Sequence, residues 1–154
     1  MRPGWRGSRV STVIERAQPE DIASVLSLLA RHGLPVDGAE AMGDAVVVAR
    51  LDGRVIGAAG LERYADGALL RSVVVDASAQ GQGLGQRLTE AALALARARR
   101  VSSVFLLTTT ADGFFPRFGF ERIGREDVPE SVQQSVEFRS ACPASAVVMR
   151  KQLG

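Results

Sequence analysis

The chain has one cysteine, Cys142, and one histidine, His32. A single thiol excludes an intrachain disulfide, and the pair cannot build a Cys- or His-rich structural metal site. Cys142 reads as a small buried apolar side chain and His32 as an ordinary helix-end residue, so no metal is expected. Lysine is equally scarce: Lys151 is the only one among nineteen basic residues. The net charge is only +2 and the arginines are scattered, which leaves no electrostatic footprint for nucleic acid. The one short group, Arg97, Arg99 and Arg100, closes a helix, where cations complement the dipole. No apolar run approaches the ~20 residues of a membrane span. The basic stretch from Met1 to Ser11 is not followed by a signal-like apolar core. It is read as part of a flexible leader (1–12) that includes a start-site artefact, and a cytoplasmic protein is expected.

What is present is the material of one soluble domain, taken as 13–154. A chain of 154 residues buries roughly 68–70% of its unfolded surface, enough for a core without staples. Val13–Arg16 reads as a first strand. Pro19, Glu20 and Asp21 open a helix in which Ile22, Val25, Leu26, Leu28 and Leu29 recur at helical spacing, with Gly33 at its C-cap. Leu34 to Gly43 is loop or weak helix. Ala45–Leu51 and Arg54–Arg63 are strands joined by the hairpin signal Asp52-Gly53, and a further strand follows Gly67. A long helix over Gln86–Arg99 leads to the strand Val101–Thr108. A short helix over Asp112–Arg117, a brief strand at Glu121–Gly124, a helix over Pro129–Phe138 and a strand at Ala146–Leu153 complete the chain. The alternation predicts an α/β fold, a mixed, mostly antiparallel sheet with helices on both faces.

The densest signal lies where the strand Leu69–Val75 enters Asp76–Gly85, with glycine at 81, 83 and 85, and then the long helix. Such a junction offers unpaired N–H groups at the positive end of a helix, a place to hold phosphate. A P-loop needs Lys-Ser or Lys-Thr, which the chain lacks. A dinucleotide fingerprint needs G-x-G-x-x-G and an acid about 20 residues on; here the spacing is G-x-G-x-G, followed by the apolar strand Val104–Leu107. A third template, Q/R-x-x-G-x-G/A, is met by Gln80, Gly83 and Gly85. There the chain resembles the GCN5-related N-acetyltransferase (GNAT) superfamily. The resemblance extends to Phe114-Phe115-x-x-x-Gly119-Phe120. A closer similarity, to the arsenic-resistance-associated N-acetyltransferases of bacterial ars clusters, rests on Leu106 to Thr110, Phe114-Phe115, Val128-Pro129 and Glu137-Phe138. The tail from Cys142 to Ala146, with Met149, belongs to the same pattern.

The resemblance implies an acetyl-coenzyme A-dependent N-acetyltransferase acting on a small amine by direct attack, with a detoxification role. The substrate would be an amino-acid-like organoarsenical or a phosphinic relative. Gln80, Gly81, Gln82, Gly83, Leu84 and Gly85 would hold the pyrophosphate, and Val73, Val74 and Val75 the pantetheine arm and acetyl group. The N–H of Val73 is the candidate oxyanion donor. The family often carries a tyrosine four residues before its Gly-Phe pair as general acid; here that place is Phe115, which has no proton to give. Tyr64 is the one phenol that could substitute. Glu62 is the candidate general base, with Ser72 orienting a water. Arg71, inside an apolar strand, is expected either to read the acidic group of the substrate with its bidentate fork or to pair with a glutamate on a neighbouring strand. The partners expected are a small amine and a second copy of the chain, not nucleic acid or membrane. Phe115 keeps alive another class of function, an acyl-coenzyme A-binding sensor with little turnover.

Overall fold

The computed structural model describes residues 12–140 and 146–153. The leader up to residue 11, and Cys142, lie outside the described residues. Seven strands form one sheet: β1 (Val13–Arg16), β2 (Val46–Leu51), β3 (Arg54–Tyr64), β4 (Gly67–Val75), β5 (Ser103–Thr108), β6 (Glu121–Ile123) and β7 (Val147–Gln152). Their order is β1-β2-β3-β4-β5-β7-β6. Every neighbouring pair is antiparallel except β4 and β5, which are parallel. The expected meander of three strands is β2, β3 and β4, and its first turn has Asp52 at φ 51° and Gly53 at φ 78°, the double positive φ that an Asp-Gly hairpin supplies.

The period of two along β2 sorts side chains onto two faces. Val46 and Val48 pack with Val25, Leu28 and Leu29 of helix α1 (Ile22–Arg31). Val47 and Ala49 pack with Leu84, Leu88, Ala92 and Leu93 of helix α2 (Leu84–Ala98). Helices therefore cover both faces, as expected. Asp21 anchors the start of α1: its carboxylate accepts the Gln18 N–H at 2.7 Å and two bonds from Arg50, whose Nε also bonds Glu15 on β1. The helix ends at Gly33 in a Schellman pattern, with Leu34 N–H on Leu29 O and Gly33 N–H on Ala30 O.

Three expectations shift. The long helix begins at Leu84, not Gln86, so Leu84 and Gly85 belong to its first turn. The helix expected over Asp112–Arg117 is a 3-10 turn at Phe115–Phe118, with Pro116 in its first turn. Thr108 Oγ1 accepts the N–H groups of Thr110 and Ala111 and bends the chain before that turn. The helix expected over Pro129–Phe138 is two short ones, α3 (Glu130–Gln133) and α4 (Val136–Ser140). Between them Ser135 Oγ accepts the Phe138 N–H at 3.2 Å, a capping bond that restarts the helix. Val132 and Phe138 cover Leu69, Phe105 and Val148 on the same face as α1.

Two irregularities position the site. β4 carries a bulge: Gly60 faces Arg71 and Ala58 faces Val74, so Ser72 and Val73 share the single residue Ala59. Ser72 takes φ 62°, a left-handed conformation uncommon for a residue with a side chain. The second is the splaying of β4 from β5. Their register holds only at Ala68↔Val104 and Leu69↔Phe105, and beyond it the parallel strands separate into a wedge.

Candidate active site

A cavity of about 950 Å³ occupies that wedge. One wall is β4 from Leu70 to Val75, the other β5 and its extension from Leu106 to Ala111. The glycine loop and first turn of α2 close one end, and Leu34, Pro35 and Asp37 with Val136, Glu137 and Ser140 close the other. The volume lies in the range of small-molecule sites. The edge of β4 left free by the splaying offers backbone groups to an extended ligand, as a sheet edge does to a peptide.

At the loop end, Gly81 (φ 83°) and Gly83 (φ 79°) hold left-handed conformations, and a Cβ at either would meet no protein atom within 4 Å. The space above the loop is open to a ligand. The first bond within α2 runs from Arg87 N–H to Gly83 O, which leaves the amides of Leu84, Gly85 and Gln86 without a partner earlier in the helix. Gln80 Nε2 donates to Val75 O at 3.0 Å and ties the loop to the end of β4. Gln80, Gly81, Gly83, Leu84 and Gly85 line the cavity, as do Val73 and Val75; Gln82 does not. The Val74 side chain points the other way, into the core under α1. Phe114 lines the wall by Gly85, with Arg117 stacked 4.9 Å above its ring.

At the far end the structure assembles a charged cluster. Arg71 is fully buried; its Nη1 donates to Glu62 Oε2 at 2.7 Å and to Asp37 O at 3.0 Å. Nη2 donates to Pro35 O at 3.1 Å, and Nε to Ser72 Oγ at 3.1 Å. The guanidinium is thus committed to a neighbouring-strand glutamate and to the 34–38 loop. Of the two roles expected for Arg71, the geometry matches the pair with a neighbouring-strand glutamate; a bidentate reader uses two N–H groups side by side, and one N–H of Nη2 is without a partner among the described residues. Glu62 is 1% exposed, receives Arg71 on one oxygen and the Tyr64 hydroxyl on the other, and is not on the cavity wall. Glu62 therefore lies behind Arg71 as its counter-ion, away from the wall that an incoming amine would meet. Tyr64 is likewise spent on Glu62, and burial with that neighbouring charge pushes its phenol up from its ordinary range. Phe115 packs edge-on against Phe114 and Phe120, with centroids 5.0 and 5.8 Å apart.

Glu137 is the residue that the sequence reading missed as a site group. It lines the cavity with its side chain 13% exposed, and its Oε2 lies 3.6 Å from Arg71 Nε. Burial, reinforced by the Glu62 charge and opposed by Arg71, pushes its carboxyl up to about 7. The one legible hint was an acid placed directly before Phe138 in a helix that had to cover apolar surface. Among the described residues no group of His, Cys, Asp and Glu is arranged to hold a metal ion, and no helix is long and apolar enough to cross a membrane.

Comparison with known proteins follows the same outline. Residues 42–122 match the family model described as an acetyltransferase (GNAT) domain. Among solved structures, the chain is similar to N-acetylglutamate synthase from Neisseria gonorrhoeae complexed with coenzyme A and N-acetyl-glutamate. The TM-score is 0.79 at 24% identity, over 94% of this chain and 35% of that one. The chain therefore spans about a third of the length of that enzyme. It is also similar to Rv2747 from Mycobacterium tuberculosis in complex with CoA and NLQ (TM-score 0.75, 26% identity, 92% and 99% of the two chains). A third is the ribosomal-protein-S18-alanine N-acetyltransferase from Escherichia coli (TM-score 0.71, 19% identity, 94% and 95%). No curated protein matches the chain in sequence.

Proposed function

The chain belongs to the GNAT acetyltransferase family, and from that membership we propose that it transfers the acetyl group of acetyl-coenzyme A to a small amine by direct attack. The observation that carries the reading is the wedge itself, in which a free strand edge leads from a glycine-rich helix N-terminus to an acid at the opposite end. Gly81, Gly83, Leu84 and Gly85 hold the pyrophosphate with backbone amides, and the open space above the two left-handed glycines fits that group. Val73 and Val75 present backbone groups along the pantetheine arm. Val73, on the cavity wall at the bulge, is the residue whose N–H would stabilise the acetyl carbonyl as charge develops on it; such a donor contributes about 2.7–4 kcal/mol where measured. When bound, acetyl-coenzyme A supplies an activated acyl carbon with a thiolate leaving group. A thiol's pKa near 8.5 makes that departure workable without a phenol at position 115, and holding both reactants in one cavity supplies proximity.

The finer reading, that the amine is a toxic amino-acid-like compound such as an organoarsenical or a phosphinic amino acid, rests on the motif resemblance at Leu106–Thr110, Val128-Pro129 and Glu137-Phe138. The rival class, an acyl-coenzyme A sensor, is favoured by one observation: Phe115 and the engaged Tyr64 leave no phenol facing the cavity. The test is thiol release from acetyl-coenzyme A against a panel of glycine, L-glutamate, L-phenylalanine amide, spermidine, phosphinothricin and an amino-acid arsinate. Saturable release with a member supports the enzyme and ranks the substrate class. Flat traces from protein that binds acetyl-coenzyme A would replace the enzyme with the sensor.

A further inference from the structure

Glu137 shares its end of the wedge with a guanidinium that is already paired. Arg71 already faces the buried Glu62 at 2.7 Å and gives its remaining bonds to Pro35 O, Asp37 O and Ser72 Oγ. Two carboxylates therefore stand about one cation, and among the described residues no N–H or O–H donates to Glu137. The groups facing it can be named element by element. β4 contributes Arg71 and Ser72, and β3 contributes Glu62 and Tyr64 behind Arg71. The 34–38 loop contributes Asp37, while Arg117, stacked on Phe114, lies on the wall at the glycine-loop end. Glu137 also stands close to where the reaction would occur. Arg71 Nε lies 3.6 Å from Glu137 Oε2 and 3.1 Å from Ser72 Oγ, so the carboxyl sits near the β4 bulge at Ser72 and Val73.

The position is held from two sides. Phe138 is buried under α4 and fixes the helix on the sheet. A Cβ on Gly38 would stand 2.7 Å from Val136 Cβ, so the 34–38 loop and α4 meet closely enough to require glycine there. Arg71 bonds the carbonyls of that loop and faces the acid of that helix, which makes it the hub that registers the two walls.

We propose that Glu137 is the general base of the transfer, taking the proton from the acceptor nitrogen, with Arg71 as the positioning residue that aims it. The inference rests on the acetyltransferase reading above. An acceptor entering as an ammonium gives one proton to Glu137, which frees the nitrogen lone pair. As the C–N bond forms and the C–S bond breaks, the nitrogen loses its second proton and the departing thiolate takes one up; Glu137 returns its own to solvent. A carboxyl displaced toward neutrality serves this role well, because a base is most effective when its pKa lies near the working pH.

The experiment uses the full chain, with the panel amine that gives the highest rate in thiol release. Glu137→Gln keeps the shape and removes the base. It is expected to lower kcat/KM by roughly 10²–10⁴-fold while acetyl-coenzyme A affinity by calorimetry stays within twofold. The wild-type kcat/KM profile should rise through an apparent pKa near 7, and that limb should be absent from Glu137→Gln and return in Glu137→Asp at a reduced rate. A Gln variant within twofold of wild type, or one that keeps the limb, overturns the assignment. So does a ¹³C-carboxyl NMR titration of the wild type that places Glu137 in the ordinary glutamate range. If wild type itself releases no thiol with any panel amine, the parent reading falls and takes the base with it, a result distinct from loss in the variant alone.

Discussion

Replacing Arg71 by methionine separates the two roles open to that residue. The Arg71 and Glu62 side chains are 0% and 1% exposed at a separation of 2.7 Å. Methionine fills most of the volume but leaves Glu62 with only the Tyr64 hydroxyl as partner. Breaking a buried pair by removing one member costs about 3–5 kcal/mol, chiefly for the uncompensated charge left behind. Pro35 and Asp37 line the cavity, so water entering it would replace the donors their carbonyls lose, and they add little. At about 2–4 °C per kcal/mol for a chain of this size, the melting temperature should fall by roughly 6–20 °C, read by circular dichroism. Adding Glu62→Gln removes the orphaned charge and keeps an acceptor for Tyr64, so the double variant should recover much of the loss. The single variants should also move the acid limb of the rate in opposite senses. Arg71→Met removes the charge that holds Glu137 down and shifts the limb to higher pH; Glu62→Gln removes the charge that holds it up and shifts the limb lower. An Arg71→Met protein that melts within 2 °C of wild type, and whose KM rises for L-glutamate but not for a neutral amine, would refute the reasoning and restore Arg71 as an anion reader.

Gly83→Val should abolish acetyl-coenzyme A binding: its Cβ meets no protein atom within 4 Å and directs the side chain into the open space over the loop, at φ 79°. The left-handed conformation costs about 1–2 kcal/mol, so the fold survives, and calorimetry showing unchanged affinity would reject the phosphate assignment. Glu137 should also make stability depend on pH. Its folded pKa of about 7 against an ordinary 4.5 means that the folded state binds the extra proton between those values. Stability from this group is then full below about pH 4.5 and is lost as pH rises through 7, by ~3 kcal/mol; urea unfolding of wild type minus Glu137→Gln at pH 5 and 8 isolates it. Asp21 works in the opposite sense. Its carboxyl is held down by the Arg50 hydrogen bonds and then by the Gln18 N–H, so its contribution is present above the ordinary carboxylate range and is lost on acidification. Asp21→Ala should cost roughly 2–4 kcal/mol at neutral pH, combining a lost capping-box bond to the Gln18 N–H with a broken, partly buried pair. A change under 0.5 kcal/mol in urea unfolding would show that the start of α1 does not depend on it.

Much of the frame was legible in the chain because its causes are local. The apolar run Ala45–Leu51 marked β2, Asp52-Gly53 set the hairpin, and the helical spacing of Ile22, Val25, Leu28 and Leu29 marked α1 and its buried stripe. The glycines at 81 and 83 gave the loop because few other residues accept its positive φ and open surface. Helix limits near 112–117 and 129–138 were less legible, since the hydroxyls of Thr108 and Ser135 compete for backbone N–H groups with an outcome that depends on packing. The bulge at Ser72 left no trace, because serine at φ 62° is not what a left-handed position advertises.

The sequence by itself determined the sheet, its covering helices and the glycine loop, for each depends on neighbours along the chain. Only the tertiary structure decided what the charged residues do. Arg71 could be read as a reader or as a tie, and the choice fell to carbonyls 36 and 34 positions away. Glu62 became a counter-ion because Arg71 and Tyr64 enclose it, and Glu137 became a site group because α4 lowers it into the wedge beside Arg71. Burial and charge proximity act through space rather than along the sequence, so the roles of these groups exist only once the walls of the cavity have met.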